Sequence, residues 1–538
     1  MSDTSKKQTF LHGAALLAIA TAIVKVIGAL YKIPLNAILG EKGFGYFSSA
    51  YDVYSLLLMI STAGLPVAMS RMISQSATLG AYNQMRRTYR VSLSIFLILG
   101  AVSTLLMVGF SGFLAEFEKQ PNARIAIICL GPCALLMGLI STFRGFFQGH
   151  GNMRPTSVSQ VLEAACKLVI GLALAFFLMR RYRNVPLAAG GAIFGVTFSC
   201  MVSVVYLYRK FRGEYRQVPA GTDDAMSVGK TVRELLAIAV PITVGSAGLQ
   251  FLTVLETRIY MGQLLTVLPG TASMAQDSAD TMKGIYNMSQ TIFNMPCAFI
   301  VPLAISMIPA VTSGITLKQD DTVRATEESA ARITGLLSLP CSVGLVLLAK
   351  PIMALLGGYT GENLALGAKL MAVLGISVFL YAIIQVTNSL LQAHGYAYIP
   401  VINMLVAGTV KLAVVYILVG NPNIGILGAP IGAVLCYGAI AVMNLLSIAK
   451  VVPQKPQLLR NLLRSLLPAL IMGVAVFLTN WVLARLLGEN GSRLILCAVP
   501  IIVGGVVYLV SAVFCKSVTA EDCKLLPRGE KIAKLLKL

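Results

Sequence analysis

Two lysines in the first apolar segment have a spacing suited to a phosphate-bearing ligand. Lys25 and Lys32 lie in "KVIGALYKIP", and seven residues separate them. Seven residues make nearly two helical turns, so both amines would share one face, about 10 Å apart along the axis. Gly28 between them leaves room for a neighbouring helix. Because lysine acts as a point charge toward phosphate, the pair predicts a cationic binding surface. Structural pairing with acidic side chains is the alternative.

Further ionisable residues fall within apolar segments, where such groups usually face a cavity or a partner. Arg258 is predicted to face the two lysines across a cavity. Glu256 points to nearly the opposite side of the same helix and needs another partner, for which a coupling cation or proton is one option. Asp52 in "YDVY" could pair with a first-helix lysine. For Lys32 and Asp52, extension to the membrane interface is the alternative.

Glu163 and Lys167 stand four residues apart in another apolar segment. At that spacing two opposite charges on one helix are neighbours and satisfy each other. We therefore expect an internal ion pair here, with a functional role as the alternative.

The elements that carry these residues are membrane helices. Of the 538 residues 57% are hydrophobic and only 12% are charged, and the mean hydropathy is +0.79. Apolar runs of about 20 residues, enough to cross a bilayer, recur along the chain. The sequence predicts an all-α polytopic membrane protein with fourteen transmembrane helices.

The net charge of +21 does not indicate a nucleic-acid partner, because the basic residues separate apolar segments and form no stripe. Lysine and arginine concentrate in alternate loops, which predicts that both termini are cytoplasmic. The remaining positive charge favours contact with anionic membrane lipids.

The sequence contains few signs of catalysis or metal binding. The ten cysteines are scattered, and the three histidines lack the spacing of metal ligands. "DSAD" at 277–280 resembles half of a metal-diphosphate motif, but it occurs once and in a predicted outer loop. No P-loop pattern occurs. We expect a transporter and not an enzyme, with no metal or cofactor apart from a coupling Na⁺ or H⁺.

The two halves of the chain repeat each other. "QGHG" at 148–151 matches "QAHG" at 392–395, and "LPVAMS" at 65–70 matches "VPLAIS" at 301–306. Six spans per half imply a parallel repeat, which is typical of two pseudo-symmetric lobes around the central cavity of an alternating-access transporter. The predicted divisions are an N-lobe at 1–210, a solvated cytoplasmic linker at 211–230 lying on the lipid headgroups, a C-lobe at 231–451, two further helices at 452–515 and a basic cytoplasmic tail at 516–538.

Three segments resemble a known family. They are "KVIGALYKIPLNAILG" (25–40), "GFGYFSSAYDVYSLLLMISTAGLPVAMSR" (43–71) and "FRGFFQGHGNMRPTSVSQVLE" (143–163). Together they resemble the MurJ/SpoVB group (stage V sporulation protein B, YtgP-like) of flippases in the MOP superfamily, over essentially the whole chain.

The resemblance implies export of a lipid-linked cell-wall precursor, lipid II above all, from the inner to the outer leaflet of the bacterial cytoplasmic membrane. It implies a cationic cavity for the undecaprenyl-linked diphosphate and a groove for the lipid tail in the two extra helices at 452–515. It also implies coupling to membrane potential or sodium, and partners in cell-wall or spore-cortex synthesis. The family has arginines in the first helix, where this chain has Lys25 and Lys32, so diphosphate geometry should be looser.

Other functions stay open at this stage. A MATE-like cation-coupled drug antiporter would share the architecture, but it predicts an acidic cavity and has no use for two extra helices. A flippase for another polyprenyl-linked polysaccharide unit, a membrane enzyme acting on polyprenyl phosphate and a scaffold for the cell-wall machinery are the remaining alternatives.

Overall fold

A computed structural model describes nearly the whole chain as α-helix. The described ranges are 3–62, 64–453, 455–487, 492–515 and 517. No β-strand occurs within them. Apart from Ser517, the predicted basic tail at 516–538 lies outside the described residues.

The chain forms two compact units, Met1–Gly284 and Ile285–Leu538. The helices of the first unit are α1 (Asp3–Thr62), α2 (Leu65–Thr78), α3 (Tyr82–Gly109), α4 (Ser111–Phe117), α5 (Arg124–Gly149), α6 (Arg154–Cys166), α7 (Leu172–Tyr182), α8 (Val185–Arg216) and α9 (Val228–Val267). Helix α10 (Ala272–Thr316) begins there and continues into the second unit. The division into two pseudo-symmetric six-helix lobes stays a prediction.

The helices of the second unit pack around an apolar core. They are α11 (Asp320–Leu347), α12 (Ala349–Leu356), α13 (Gly361–Ala393), α14 (Tyr398–Val419), α15 (Gly428–Val451), α16 (Leu458–Leu463), α17 (Leu466–Leu487) and α18 (Arg493–Phe514). Helix α13 packs on α11 and α15, and Leu390, Leu391 and Ile440 are buried between such neighbours. The last two helices, α17 and α18, pack on each other.

Length and hydropathy qualify 12 helical segments of the described chain as membrane spans. The first two predicted spans are 10–39 and 44–73. The first segment, Ile23–Thr78, contains most of them. Helix α10 is not among the 12, although it contains the predicted span 284–313 and starts well before it. The polytopic α-helical membrane class is confirmed, and the count of fourteen stays a prediction.

A bend at Gly40 divides α1 into two arms. Its φ of 68° and ψ of −179° lie outside the helical region, in a conformation that favours glycine. Lys32 therefore lies on the arm before the bend and Asp52 on the arm after it. The bend allows both residues to contribute to one site.

The connector between α8 and α9 is hydrogen-bonded to the N-terminal turn of α3. Asp223 accepts the backbone N–H groups of Asn83 at 2.8 Å and Gln84 at 2.9 Å, and Arg87 donates to the Ala225 carbonyl at 3.1 Å. Desolvation opposes the charge, but these N–H donors hold the pKa of Asp223 below its usual range. The linker is thus anchored to α3, and its solvated position on the lipid headgroups stays a prediction.

Candidate functional site

Six ionisable side chains of the first unit interact electrostatically. Asp52 interacts with Lys283, Lys32 and Glu256. Lys32 also interacts with Lys167, and Glu118 interacts with Lys283 and Asp52. We call this set the charged network; it consists of Lys32, Asp52, Glu118, Lys167, Glu256 and Lys283.

Helices α1 and α9 meet at the centre of the network. Thr257 of α9 donates its hydroxyl to Asp52 Oδ2 at 3.4 Å. Glu256 is 8% exposed, and α9 packs along α1. The structure therefore brings together Lys32, Asp52 and Glu256, which the sequence places far apart.

Lys283 of α10 forms an ion pair in a fully buried position. Its Nζ lies 3.3 Å from Glu118 Oε2, both side chains are 0% exposed, and Nζ also donates to the hydroxyl of Ser49. Within the described part of the chain, no donor reaches the other oxygen of Glu118, Oε1. Burial raises the pKa of Glu118 above its usual range and Lys283 opposes that shift.

Sequence reasoning missed this ion pair. The apolar pattern predicts a span only from residue 284 and so leaves Lys283 in the predicted outer loop, whereas α10 already starts at Ala272. The spacing of Asp277, Asp280 and Lys283 was a usable signal, since residues three apart lie along one side of a helix.

The "DSAD" segment belongs to the same region but does not form a metal site. Asp280 is 0% exposed and accepts hydrogen bonds from Tyr46 at 3.0 Å, Gln120 at 2.7 Å and Gln276 at 2.6 Å. Neutral donors therefore occupy its oxygens. In the described ranges no group of three His, Cys, Asp or Glu side chains is arranged to hold a metal ion.

Asp277 of the same segment forms an exposed ion pair. Its Oδ2 lies 2.9 Å from Lys42 Nζ, and the two side chains are 61% and 42% exposed. This pair joins α1 and α10, as does the hydrogen bond from Lys283 to Ser49, and so offers an exposed control for the buried ion pair of Lys283.

The two first-helix lysines have different environments. Lys25 is exposed, whereas Lys32 is half-buried within the charged network. A role for Lys25 in substrate binding stays a prediction.

Arg258 contacts the end of α4. Its Nη1 donates to the Phe117 carbonyl at 3.0 Å, and its guanidinium lies 4.2 Å from the Phe117 ring. The contact that the structure shows is therefore with Phe117, and the predicted role of Arg258 in substrate binding stays a prediction.

Glu163 pairs with a different cation from the one predicted. Arg144 of α5 lies 3.2 Å from Glu163 Oε2 and donates to Ser159 at 3.0 Å, so its planar guanidinium serves both acceptors. A π-helical turn, Lys167–Gly171, starts at the predicted partner. Lys167 instead lies 5.5 Å from the centre of the Tyr31 ring. Glu163 interacts electrostatically with Lys167, as predicted, but its hydrogen-bonded ion pair is with Arg144.

Comparison with protein families now identifies the chain's family. Residues 10–314 match the family described as "Polysaccharide biosynthesis protein". The chain belongs to this family. The matched range includes every residue of the charged network.

Three relatives from Bacillus subtilis strain 168 are similar over most of their length. The "Uncharacterized membrane protein YabM" is 24% identical over 99% of this chain and 97% of its own. "Stage V sporulation protein B" is 25% identical over 83% of this chain and 85% of its own length. "Lipid II flippase MurJ" is 25% identical over 93% of this chain and 94% of its own length. The resemblance to the MurJ/SpoVB group is confirmed, and the relatives place the chain among membrane flippases and transporters.

Solved structures show the same fold. "Lipid II flippase MurJ, inward closed conformation" has a TM-score of 0.64 at 15% identity and covers 93% of this chain and 99% of its own. An inward-facing "multidrug resistance MATE family transporter of the MOP superfamily" has a TM-score of 0.65 at 16% identity. It covers 82% of this chain and 95% of its own. The predicted MOP-superfamily fold is therefore confirmed.

Proposed function

We propose that the protein is a flippase for a lipid-linked cell-wall precursor, lipid II in the first place. It would carry the undecaprenyl-diphosphate-linked headgroup from the inner to the outer leaflet of the bacterial cytoplasmic membrane by alternating access. The observation that supports this most is the match to the polysaccharide biosynthesis family, together with the similarity to a lipid II flippase over 93% of the chain.

The charged network suggests how an anionic headgroup would be held. It contains three lysines and three carboxyl groups, and Glu163 and Asp280 also interact with Lys167 and Lys283, so carboxyl groups balance the lysines without substrate. Balance is expected because an unpaired charge among packed helices is strongly unfavourable. An entering diphosphate would replace Asp52 as a partner of Lys32, which loosens the contact between the two arms of α1.

The same balance supports a coupling cation. A diphosphate adds negative charge to a neutral network, and the excess must be compensated in a medium of low dielectric. We propose that a sodium ion or a proton enters with the substrate, with Asp52, Glu118 and Glu256 as its acceptors. Transport would then depend on the cation gradient as well as on the membrane potential.

The functional test is precursor export in cells that depend on this protein. Lys32→Gln should abolish export, because it removes the network cation on the first arm of α1. Lys42→Gln is the matched control, since Lys42 lies on the same helix in the exposed pair with Asp277 and should support normal export. Normal export with Lys32→Gln would show that the network does not bind the substrate.

A second candidate is a cation-coupled antiporter of the MATE type. The TM-score of 0.65 to a MATE transporter favours it as much as the MurJ structure favours a flippase. Lysines at the centre of the network argue against it, since an organic cation needs an acidic site. Resistance to organic cations, measured in cells that express the protein, separates the two.

We also propose that both termini face the cytoplasm. The distribution of lysine and arginine among the loops supports this orientation. Reporter fusions at residue 217 in the linker and at Arg183 between α7 and α8 should show opposite sides. A cytoplasmic signal at Arg183 would reverse the proposed orientation.

A further inference from the structure

One face of α8 carries an apolar stripe that continues directly into an arginine stripe. At 100° per residue, these side chains fall within an arc of about 100° on the helix. The exposed apolar members are Phe194, Phe198, Met201, Val205 and Tyr208. The exposed basic members that continue the same face toward the linker are Arg209, Arg212 and Arg216.

A groove lies where the two stripes meet. It is a shallow, open depression on the surface of α8 alone, lined by Val204, Val205, Tyr208, Gly213 and the three arginines. In the described part of the chain none of the three arginines forms an ion pair. Three adjacent guanidinium groups without acidic partners form a site for a negatively charged group.

The opposite side of α8 holds the groove in place. Phe211 stacks on Tyr89 of α3 with ring centres 4.6 Å apart, and it contacts Phe143 and Phe146 of α5 at 5.2 Å and 4.9 Å. Tyr215 packs against Phe211 at 4.9 Å. The helix end that carries the arginines is therefore anchored to two other helices, which makes the groove a preformed surface.

We propose that this groove binds an anionic diacyl phospholipid of the bilayer. The phosphate and headgroup would contact Arg209, Arg212 and Arg216, since guanidinium groups bind phosphate oxygens in a bidentate manner. An acyl chain would follow the stripe from Tyr208 toward Phe194. This part of the stripe is about 21 Å long. It therefore exceeds the roughly 15 Å depth of one leaflet.

Charge and shape together favour a bilayer phospholipid over the transported precursor. The groove lies on the exposed face of α8, whereas the packed side of this helix contacts α1, α5, α6 and α7. The charged network draws its members from α1, the end of α4, α9, α10 and the α6–α7 turn, not from α8. The lipid is thus a bound component of the fold, independent of the proposed transport activity.

The test compares lipid binding by two arginine triplets in the purified full-length protein. Native mass spectrometry would measure phosphatidylglycerol adducts of the unaltered protein, of R209Q/R212Q/R216Q and of R180Q/R181Q/R183Q. The second triplet removes the same charge from exposed arginines at the end of α7. We expect the α8 variant to lose affinity for phosphatidylglycerol by at least about tenfold, while the α7 variant keeps it.

Three results would overturn the proposal. They are an equal loss in both triplets, equal adducts with phosphatidylcholine and phosphatidylglycerol, and displacement of phosphatidylglycerol by an equimolar amount of undecaprenyl phosphate. If the triple variant does not purify as a single species, R212Q alone is compared with R181Q. A loss of about fivefold in R212Q only would support the site, and no difference between the two would refute it.

Discussion

Within the first unit, the linker before α9 and the first part of α10 are held by two different kinds of contact. At the linker end, half-exposed Asp223 and Arg87 form hydrogen bonds with backbone groups. At the other end, which we call the ion-pair end, Lys283 and Glu118 form a fully buried ion pair. Single hydrogen bonds near water contribute about 1 kcal/mol each, whereas breaking a buried pair on one side costs about 3–5 kcal/mol.

Because the two kinds of contact differ in how easily water replaces them, one end of the first unit should open before the other. A hydrogen bond at the linker end can be exchanged for one with water, whereas Lys283 and Glu118 must be hydrated before they separate. The ion-pair end should therefore stay closed until a charged ligand or cation compensates the network. The predictions below test this contrast between the two ends.

Loss of the buried cation should have the largest effect. Lys283→Met leaves Glu118 buried without its partner and should lower the free energy of unfolding by about 3–5 kcal/mol. Thermal unfolding in detergent, followed by size-exclusion chromatography, would measure the change. The exposed counterpart, Lys42→Met, should change stability by less than about 1 kcal/mol.

A double variant sharpens the interpretation of this result. Lys283→Met combined with Glu118→Leu removes both charges and should recover most of the lost stability, because apolar groups can replace a buried pair. Equal stability of Lys283→Met and Lys42→Met would contradict the account of the ion-pair end.

Glycines allow close backbone contact toward each end, and their replacement should have the next largest effect. A Cβ on Gly284 would lie 1.8 Å from the Glu41 carbonyl oxygen, and one on Gly64 would lie 2.1 Å from that of Ala239. Gly284→Ala and Gly64→Ala should each destabilise by about 1–3 kcal/mol in the same unfolding assay.

Gly28→Ala is the control for these two variants. A Cβ there meets nothing within 4 Å, so alanine should leave stability unchanged or raise it slightly. If Gly28→Ala destabilised as much as Gly284→Ala, close helix contact would not be the cause.

The smallest effect is expected at the linker end. Asp223→Ala removes the acceptor for two N–H groups of α3 and should destabilise the linker end only slightly. Limited proteolysis gives a local readout, since the released linker should be cut faster. Asp224→Ala changes the exposed neighbour and should leave the cleavage rate unaltered; the same acceleration in both variants would show that Asp223 does not anchor the linker.

Composition and periodicity were enough to predict the membrane class, because it depends on properties distributed over the chain, whereas the family was predicted from the resemblance of three segments. Lys32, Asp52 and Glu256 could be selected as site residues since charges are rare in apolar helices. Their electrostatic interaction could not be predicted, because it depends on the bend at Gly40 and on the packing of α9 against α1.

Sequence reasoning failed mainly for ion pairs whose two side chains lie on different helices. Glu163 has an obvious partner four residues away, yet Arg144 of another helix pairs with it. Lys283 resembled a loop residue because its charge lowers local hydropathy, although Glu118 compensates that charge in the fold. The anchoring of the linker to α3 could not be predicted, because it uses main-chain groups that composition does not reveal.

Leaflet translocation of lipid II in proteoliposomes tests the central claim most directly. Fluorescent lipid II would be followed with and without sodium and a membrane potential, for the unaltered protein, Lys32→Gln and Lys42→Gln. The account predicts translocation by the unaltered protein and by Lys42→Gln, and none by Lys32→Gln. Absence of translocation by the unaltered protein under every condition, or full translocation by Lys32→Gln, would contradict it.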